Sequence, residues 1–180
     1  MFGCQQAPNP RGKTTLQILS TSKLISWPSA ESRLHQHASD ASEIDRFGVT
    51  ALHHAIRKHS SDGIYCAISL RIIEQLLQLH PEGIRNVDSM NGCNALHLAC
   101  LVNEYEVVDM IMKVDPGAAQ LSSPDDRIPL HRAQGVQVAK RLVECFPQGV
   151  RKSSSCFKGG LPVLGTIPDT FQFPFTNRSL

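Results

Sequence analysis

The chain has 180 residues, enough for one domain with a core of its own, and its 41% hydrophobic and 19% charged content is ordinary for a globular fold. A formal net charge of +2 gives no electrostatic case for nucleic acid or a membrane surface, and no apolar run is long enough to span a bilayer. Residues 1–10 lack a basic start followed by an apolar block, and the six cysteines (Cys4, Cys66, Cys93, Cys100, Cys145 and Cys156) are irregularly spaced, so reduced thiols in an intracellular, cytoplasmic protein are expected.

Residues 1–13 are polar, hold Pro8, Pro10 and Gly12, and are expected to form a disordered tail. Gly12-Lys13-Thr14 looks like the end of a phosphate-binding loop, but Ala7 stands where that loop requires its first glycine, so the motif is rejected. Residues 14–25 carry Leu16, Ile18, Leu19, Leu24 and Ile25 and read as a helix; Pro28 suits the first turn of another, running to about residue 37. Together 14–44 read as a degenerate helical cap in which Trp27 packs.

Three similar stretches follow. Residues 45–88 contain Gly48-Val49-Thr50-Ala51-Leu52-His53, a helix expected over 50–59 and a second over 70–80 whose apolar face is Ile72, Ile73, Leu76, Leu77 and Leu79. Residues 89–122 contain a turn at Asn91-Gly92, then Cys93-Asn94-Ala95-Leu96-His97, a break at Asn103, and a helix with Val107, Val108, Ile111 and Met112 on one face, stopped by Pro116 with Gly117 suited to a left-handed turn. Residues 123–152 contain Asp126-Arg127-Ile128-Pro129-Leu130-His131, an inner helix cut short by Gln134-Gly135, and an outer helix over 136–146 with Val138, Ala139, Leu142 and Val143. Gly159-Gly160-Leu161-Pro162-Val163-Leu164 is a fainter copy, giving a partial unit over 153–164, and 165–180 is a tail with Phe171, Phe173 and Phe175.

Two markers keep this order independently. His53, His97 and His131 are 44 and 34 residues apart, and Pro81, Pro116 and Pro147 close each unit. From histidine to proline is 28 residues in the first unit, 19 in the second and 16 in the third. The first therefore gains nine residues, expected as a loop near 59–67 with a turn at Ser60-Ser61-Asp62-Gly63, and the third loses three from its inner helix.

The pattern resembles the ankyrin repeat family, whose signature Gly-x-Thr-Pro-Leu-His-x-Ala is approached by Gly48 to Ala55, Gly92 to Ala99 and Asp126 to Ala133. The resemblance covers roughly residues 45–164. It implies a mainly α, helix-turn-helix solenoid with hairpin-like turns along one edge, and a non-catalytic scaffold or adaptor that binds another protein, without a cofactor. It assigns structural roles to His53, His97, His131, Leu52, Leu96, Leu130, Gly48 and Gly92, and puts Asn103 where the family has a left-handed glycine. Carried over by position, the partner-binding face comprises Arg46, Phe47, Val49, Arg57 and Lys58; Met90, Asn91, Cys93, Leu101 and Val102; and Pro124, Asp125 and Arg127. That face is basic at one end and apolar in the middle, which suits a protein segment with an apolar anchor and acidic residues. Asp88 lies four residues before Gly92 where Asp45 lies three before Gly48, so the second tip departs from the pattern. Two other readings are carried. One is a divergent repeat fragment with little binding function left. The other is a metal or redox protein built on Cys93, His97 and Cys100, for which no second Cys/His pair completes four ligands.

Overall fold

The computed structural model describes residues 14–19, 26–61, 66–89 and 91–151. The expected tail at 1–13, the end of the first helix, part of the 59–67 insertion, Met90, the partial unit and the C-terminal tail lie outside the described residues. Helices dominate the described part, with one isolated antiparallel bridge, Asp88 to Cys93. The helices are α1 (Thr15–Leu19), α2 (Trp27–Gln36), α3 (Ala51–Ser61), α4 (Cys66–Leu79), α5 (Ala95–Leu101), α6 (Tyr105–Val114) and α7 (Val136–Cys145).

They stack in two layers. Among inner elements, α1 packs on α3, α3 on α5, and α5 on a 3-10 turn at Pro129–Arg132; among outer helices, α2 packs on α4, α4 on α6 and α6 on α7. The core runs continuously between the layers. Spacings of three and four turn Ile72, Ile73, Leu76 and Leu77 of α4, Val107, Val108, Ile111 and Met112 of α6, and Val138, Ala139 and Leu142 of α7 into it. Leu52, Leu96 and Leu130 are buried from the inner side.

A proline-led 3-10 turn follows three outer helices: Pro81–Ile84, Pro116–Gln120 and Pro147–Arg151. Proline suits the first position because the N–H it lacks would find no partner inside the turn. Gly117 does not take the left-handed conformation expected of it; Asp115 Oδ1 accepts its N–H at 3.0 Å and the chain continues directly into the 3-10 turn. Among the described residues the left-handed ones are Gly48 (φ 72°), Gly92 (φ 61°), Asp126 (φ 57°) and Asn103 (φ 59°). The first three hold one register position, so Asp126 adopts the backbone of the glycine it replaces, as a short polar side chain tolerates.

Most of the nine additional residues of the first unit lengthen its helices. Helix α3 has 11 residues against 7 in α5, and α4 has 14 against 10 in α6, so each helix is about one turn longer. Ser60 and Ser61, expected in a turn, belong to α3. The added turns are tied at His59, which is 3% exposed: its Nδ1 lies 2.7 Å from Ser69 Oγ on α4 and its Nε2 3.5 Å from Glu104 ahead of α6. In the third unit the inner element is three residues shorter than α5, as expected, and is reduced to the four-residue 3-10 turn Pro129–Arg132.

Candidate functional site

The edge where the units turn is built from one repeated hydrogen bond. Asp45 N–H donates to Val49 O at 3.0 Å, Asp88 N–H to Cys93 O at 2.9 Å, and Ser123 N–H to Arg127 O at 2.8 Å. The second tip spans one residue more than the others, which is where its extra residue goes. Side chains brace each tip from beneath. Asp45 Oδ1 accepts from Phe47 N–H (2.8 Å) and Val49 N–H (3.0 Å), Asp88 from the Asn91 backbone (3.0 Å) and amide (2.9 Å), and Ser123 Oγ from Arg127 N–H (3.3 Å). Burial pushes the Asp45 carboxyl up, but the Val49 and Phe47 amides and the His54 ring outweigh it and hold it below the ordinary carboxylate value. The first two tips are also joined: Ser89 donates its N–H (2.9 Å) and its hydroxyl (2.7 Å) to Phe47 O. A Cβ on Gly48 would stand 3.0 Å from Val87 O, so this approach and its positive φ both favour glycine.

A histidine fastens α5 to the next tip, and its counterparts brace the start of their own inner elements. His97 Nε2 lies 2.7 Å from Arg127 O in the next tip. Its Nδ1 lies 2.8 Å from Asn94 Oδ1, which also accepts His97 N–H at 2.9 Å. His53 Nδ1 pairs with Thr50 Oγ1 at 2.9 Å, and His131 Nδ1 accepts from Ile128 N–H at 3.1 Å. Burial pushes His53 down to about 4 against the pull of the Asp88 charge, and pushes His97 down to about 4 against the pull of the Arg127 carbonyl.

Asn94 is a poorer partner than Thr50. A neutral imidazole donates one hydrogen. If His97 Nε2 donates to Arg127 O, its bare Nδ1 faces a carboxamide oxygen. A hydroxyl at position 94 would accept His97 N–H and donate to Nδ1 together. Asn94→Thr is therefore expected to raise stability by about 1 kcal/mol, read as a higher urea midpoint, despite the slight edge of asparagine as a helix cap.

The residues assigned to the partner face divide sharply. Arg46, Phe47 and Asn91 are exposed, and the Arg46 guanidinium sits 4.6 Å from the Phe47 ring centroid. Lys58, Leu101 and Val102 are half-buried. Val49 and Cys93 are each 1% exposed, which corrects their assignment: the left-handed glycine before each turns the following side chain into the stack. Burial also raises the Cys93 thiol above its ordinary value. Arg57 is paired rather than free on the surface; its Nη2 lies 2.6 Å from Asp88 Oδ2 and ties α3 to the second tip. Arg127 pairs with Asp125 at 3.1 Å, and Pro124 lies against Gly92, where a Cβ would stand 3.0 Å from its Cδ. Met90 is outside the described residues.

Two exposed residues on this edge escaped the sequence reading. Ile44 (56% exposed) and Val87 (43%) each directly precede a tip acid, Asp45 and Asp88, and with Phe47 (36%) they place three large apolar side chains on adjoining tips. Their shared register position was the available signal. The Cys93, His97 and Cys100 set is engaged elsewhere: both ring nitrogens of His97 face protein oxygens, and Cys100 is buried at 0% exposure with its thiol raised by burial. Among the described residues no group of three or more His, Cys, Asp or Glu is placed to hold a metal ion, and no helix is long and apolar enough to cross a membrane.

Two helical layers joined by left-handed tips define the class, a repeat solenoid. Residues 91–121 match the family model for the ankyrin repeat. That stretch is a divergent ankyrin repeat, and the fold around it is a mainly α, ankyrin-like solenoid. No curated protein matches the chain.

Proposed function

We propose that the chain is a non-catalytic recognition module that binds another protein through the tips of its first two units. The observation that carries this is the exposed set of Ile44, Phe47 and Val87, with the Arg46 guanidinium over the Phe47 ring. Monomeric folds rarely gather large apolar side chains on a rigid, hydrogen-bonded edge unless something covers them. Aromatic residues and arginine are the side chains most often found at binding hot spots. The matching partner is a protein segment with an apolar anchor for the Ile44–Phe47–Val87 surface and an acidic residue for Arg46. Arg57 and Asp125 serve the fold through their ion pairs with Asp88 and Arg127.

A photo-reactive residue placed at position 47 tests this. It is expected to crosslink a protein from cell extract that the same residue at Lys113, on the outer layer, does not, and Arg46→Glu is expected to abolish the product. Equal products from both positions, or none from position 47, would remove the proposal.

The fragment reading has one observation in its favour. The inner element shortens from 11 residues in α3 to 7 in α5 and 4 in the turn Pro129–Arg132, so the face thins toward the third unit. This thinning supports recognition at the first two tips rather than across all three.

A further inference from the structure

We infer that Gln17 is the positioning residue of the first tip, standing where histidine stands in the later units, and that α1 and α2 form a repeat unit in their own right. Gln17 is polar and 0% exposed. Its Nε2 donates to Val49 O at 3.1 Å and to Glu43 O at 3.2 Å. Val49 follows the left-handed Gly48 as Arg127 follows the left-handed Asp126, and Arg127 O is the oxygen that His97 Nε2 meets at 2.7 Å. The other end of the side chain matches too. Gln17 Oε1 accepts from Thr14 N–H at 3.0 Å, as His131 Nδ1 accepts from Ile128 N–H at 3.1 Å. Thr14 Oγ1 accepts Gln17 N–H at 3.3 Å, as Asn94 Oδ1 accepts His97 N–H.

The sequence carries the same register. Gly12-Lys13-Thr14-Thr15-Leu16-Gln17 aligns with Gly48-Val49-Thr50-Ala51-Leu52-His53, with glycine, threonine and leucine identical. The order of elements repeats as well: inner helix α1, outer helix α2, then a 3-10 turn at Ala38–Ser42, with α1 on α3 and α2 on α4. The substitution is chemically sound. An imidazole carrying its hydrogen on Nε2 offers an acceptor and a donor about as far apart as the oxygen and nitrogen of a carboxamide. The glutamine nitrogen has two hydrogens, so it holds two carbonyls instead of one. Those two, Glu43 and Val49, bracket the five residues that carry Ile44, Arg46 and Phe47. A carboxamide also has no proton to gain in acid, so this tip stays fastened where the tip held by His97 is loosened.

That the tip is a binding surface rests on the function proposed above; that Gln17 fastens it does not. The full chain carrying Gln17→Ala, Gln17→Glu or Gln17→His separates the two. Amide hydrogen exchange is read at Asp45 and Gly48, whose N–H groups close the tip, and at α6 as a control. Alanine, and glutamate, which cannot donate, are expected to speed exchange at Asp45 and Gly48 by about tenfold or more while α6 keeps its protection. Histidine is expected to restore protection at about pH 7.5 and to lose it near pH 5, where the wild type, compared at the same pH, keeps it. Unchanged tip exchange in the alanine and glutamate variants, a uniform loss that includes α6, or failure of histidine to restore protection at neutral pH would each overturn the assignment. Loosened tip amides, together with no crosslink from a photo-reactive residue at position 47 in a chain that keeps Gln17, would support the positioning role and remove the binding proposal alone.

Discussion

Lowering the pH through the window from about 6.5 to about 4 is expected to unfold the array. His53 and His97 are buried as neutral rings, and burial holds each near 4 in the fold against 6.5 for a free ring. A folded value below the unfolded one means that the unfolded chain binds the proton first. The stabilisation is complete above about 6.5 and is lost as the pH falls through the folded value. Each ring then forfeits up to about 3 kcal/mol, and the pair about twice that, which rivals the whole stability of an ordinary domain. Asp45, Asp109 and Asp125 also have lowered values, so their contributions fade further down, in the carboxylate range. Circular dichroism melts across this range are expected to show a steep fall in midpoint ahead of carboxylate titration. Replacing both rings with the side chain that already serves at position 17, as His53→Gln with His97→Gln, should flatten that fall while retaining a folded chain at neutral pH. An acid limb unchanged by the double substitution would show that the rings are not its source.

The histidines organise what was legible in the sequence and also what was not. Three of them, in step with three prolines, place the repeats, the tips and the left-handed positions, because each needs a particular residue at a particular offset. Asn103 at φ 59° and Asp126 at φ 57° follow from residue type and register alone. The same anchor hid the unit that we infer for α1 and α2, ahead of residue 45. Glutamine at position 17 does the work of the ring without sharing its letter, so 14–44 read as a cap even though Gly12, Thr14 and Leu16 were in place. The nine-residue insertion was countable but not placeable. Length alone does not separate a loop from two helices each a turn longer, and the deciding contact, His59 with Ser69 and Glu104, joins residues far apart in the chain. The partner face suffered from a local cause. Val49 and Cys93 occupy tip positions by offset, yet the left-handed residue ahead of each reverses which way the side chain points. Ile44 and Val87, one position before the tip acids, point outward.

Leu96→Ala is expected to cost about 2–5 kcal/mol and to uncouple the two ends of the array. Leu96 is 0% exposed and sits on α5, the inner helix that packs against α3, α6, the 3-10 turn at Pro81–Ile84 and the 3-10 turn at Pro129–Arg132. A solenoid holds together through its nearest-neighbour interfaces, so a cavity at the central unit weakens the interfaces on both sides. The third unit suffers most, because its own inner element is a single turn and cannot stand without α5. Units ahead of the cavity keep the long α3–α4 pair and its contacts with α1 and α2. Trp27, the single tryptophan, starts α2, partly buried against the core, and has the Arg71 guanidinium 5.3 Å from its ring centroid, so its fluorescence reports on this end alone. In the wild type, tryptophan fluorescence and far-ultraviolet circular dichroism should follow one urea transition. In Leu96→Ala the dichroism should fall first and over a broader range, with the tryptophan signal persisting to higher urea. Leu101→Ala, at a half-buried position on the same helix, should leave the two probes coincident and cost less. Coincident transitions in Leu96→Ala, displaced by less than about 1 kcal/mol, would mean that the central unit is not what couples the two ends.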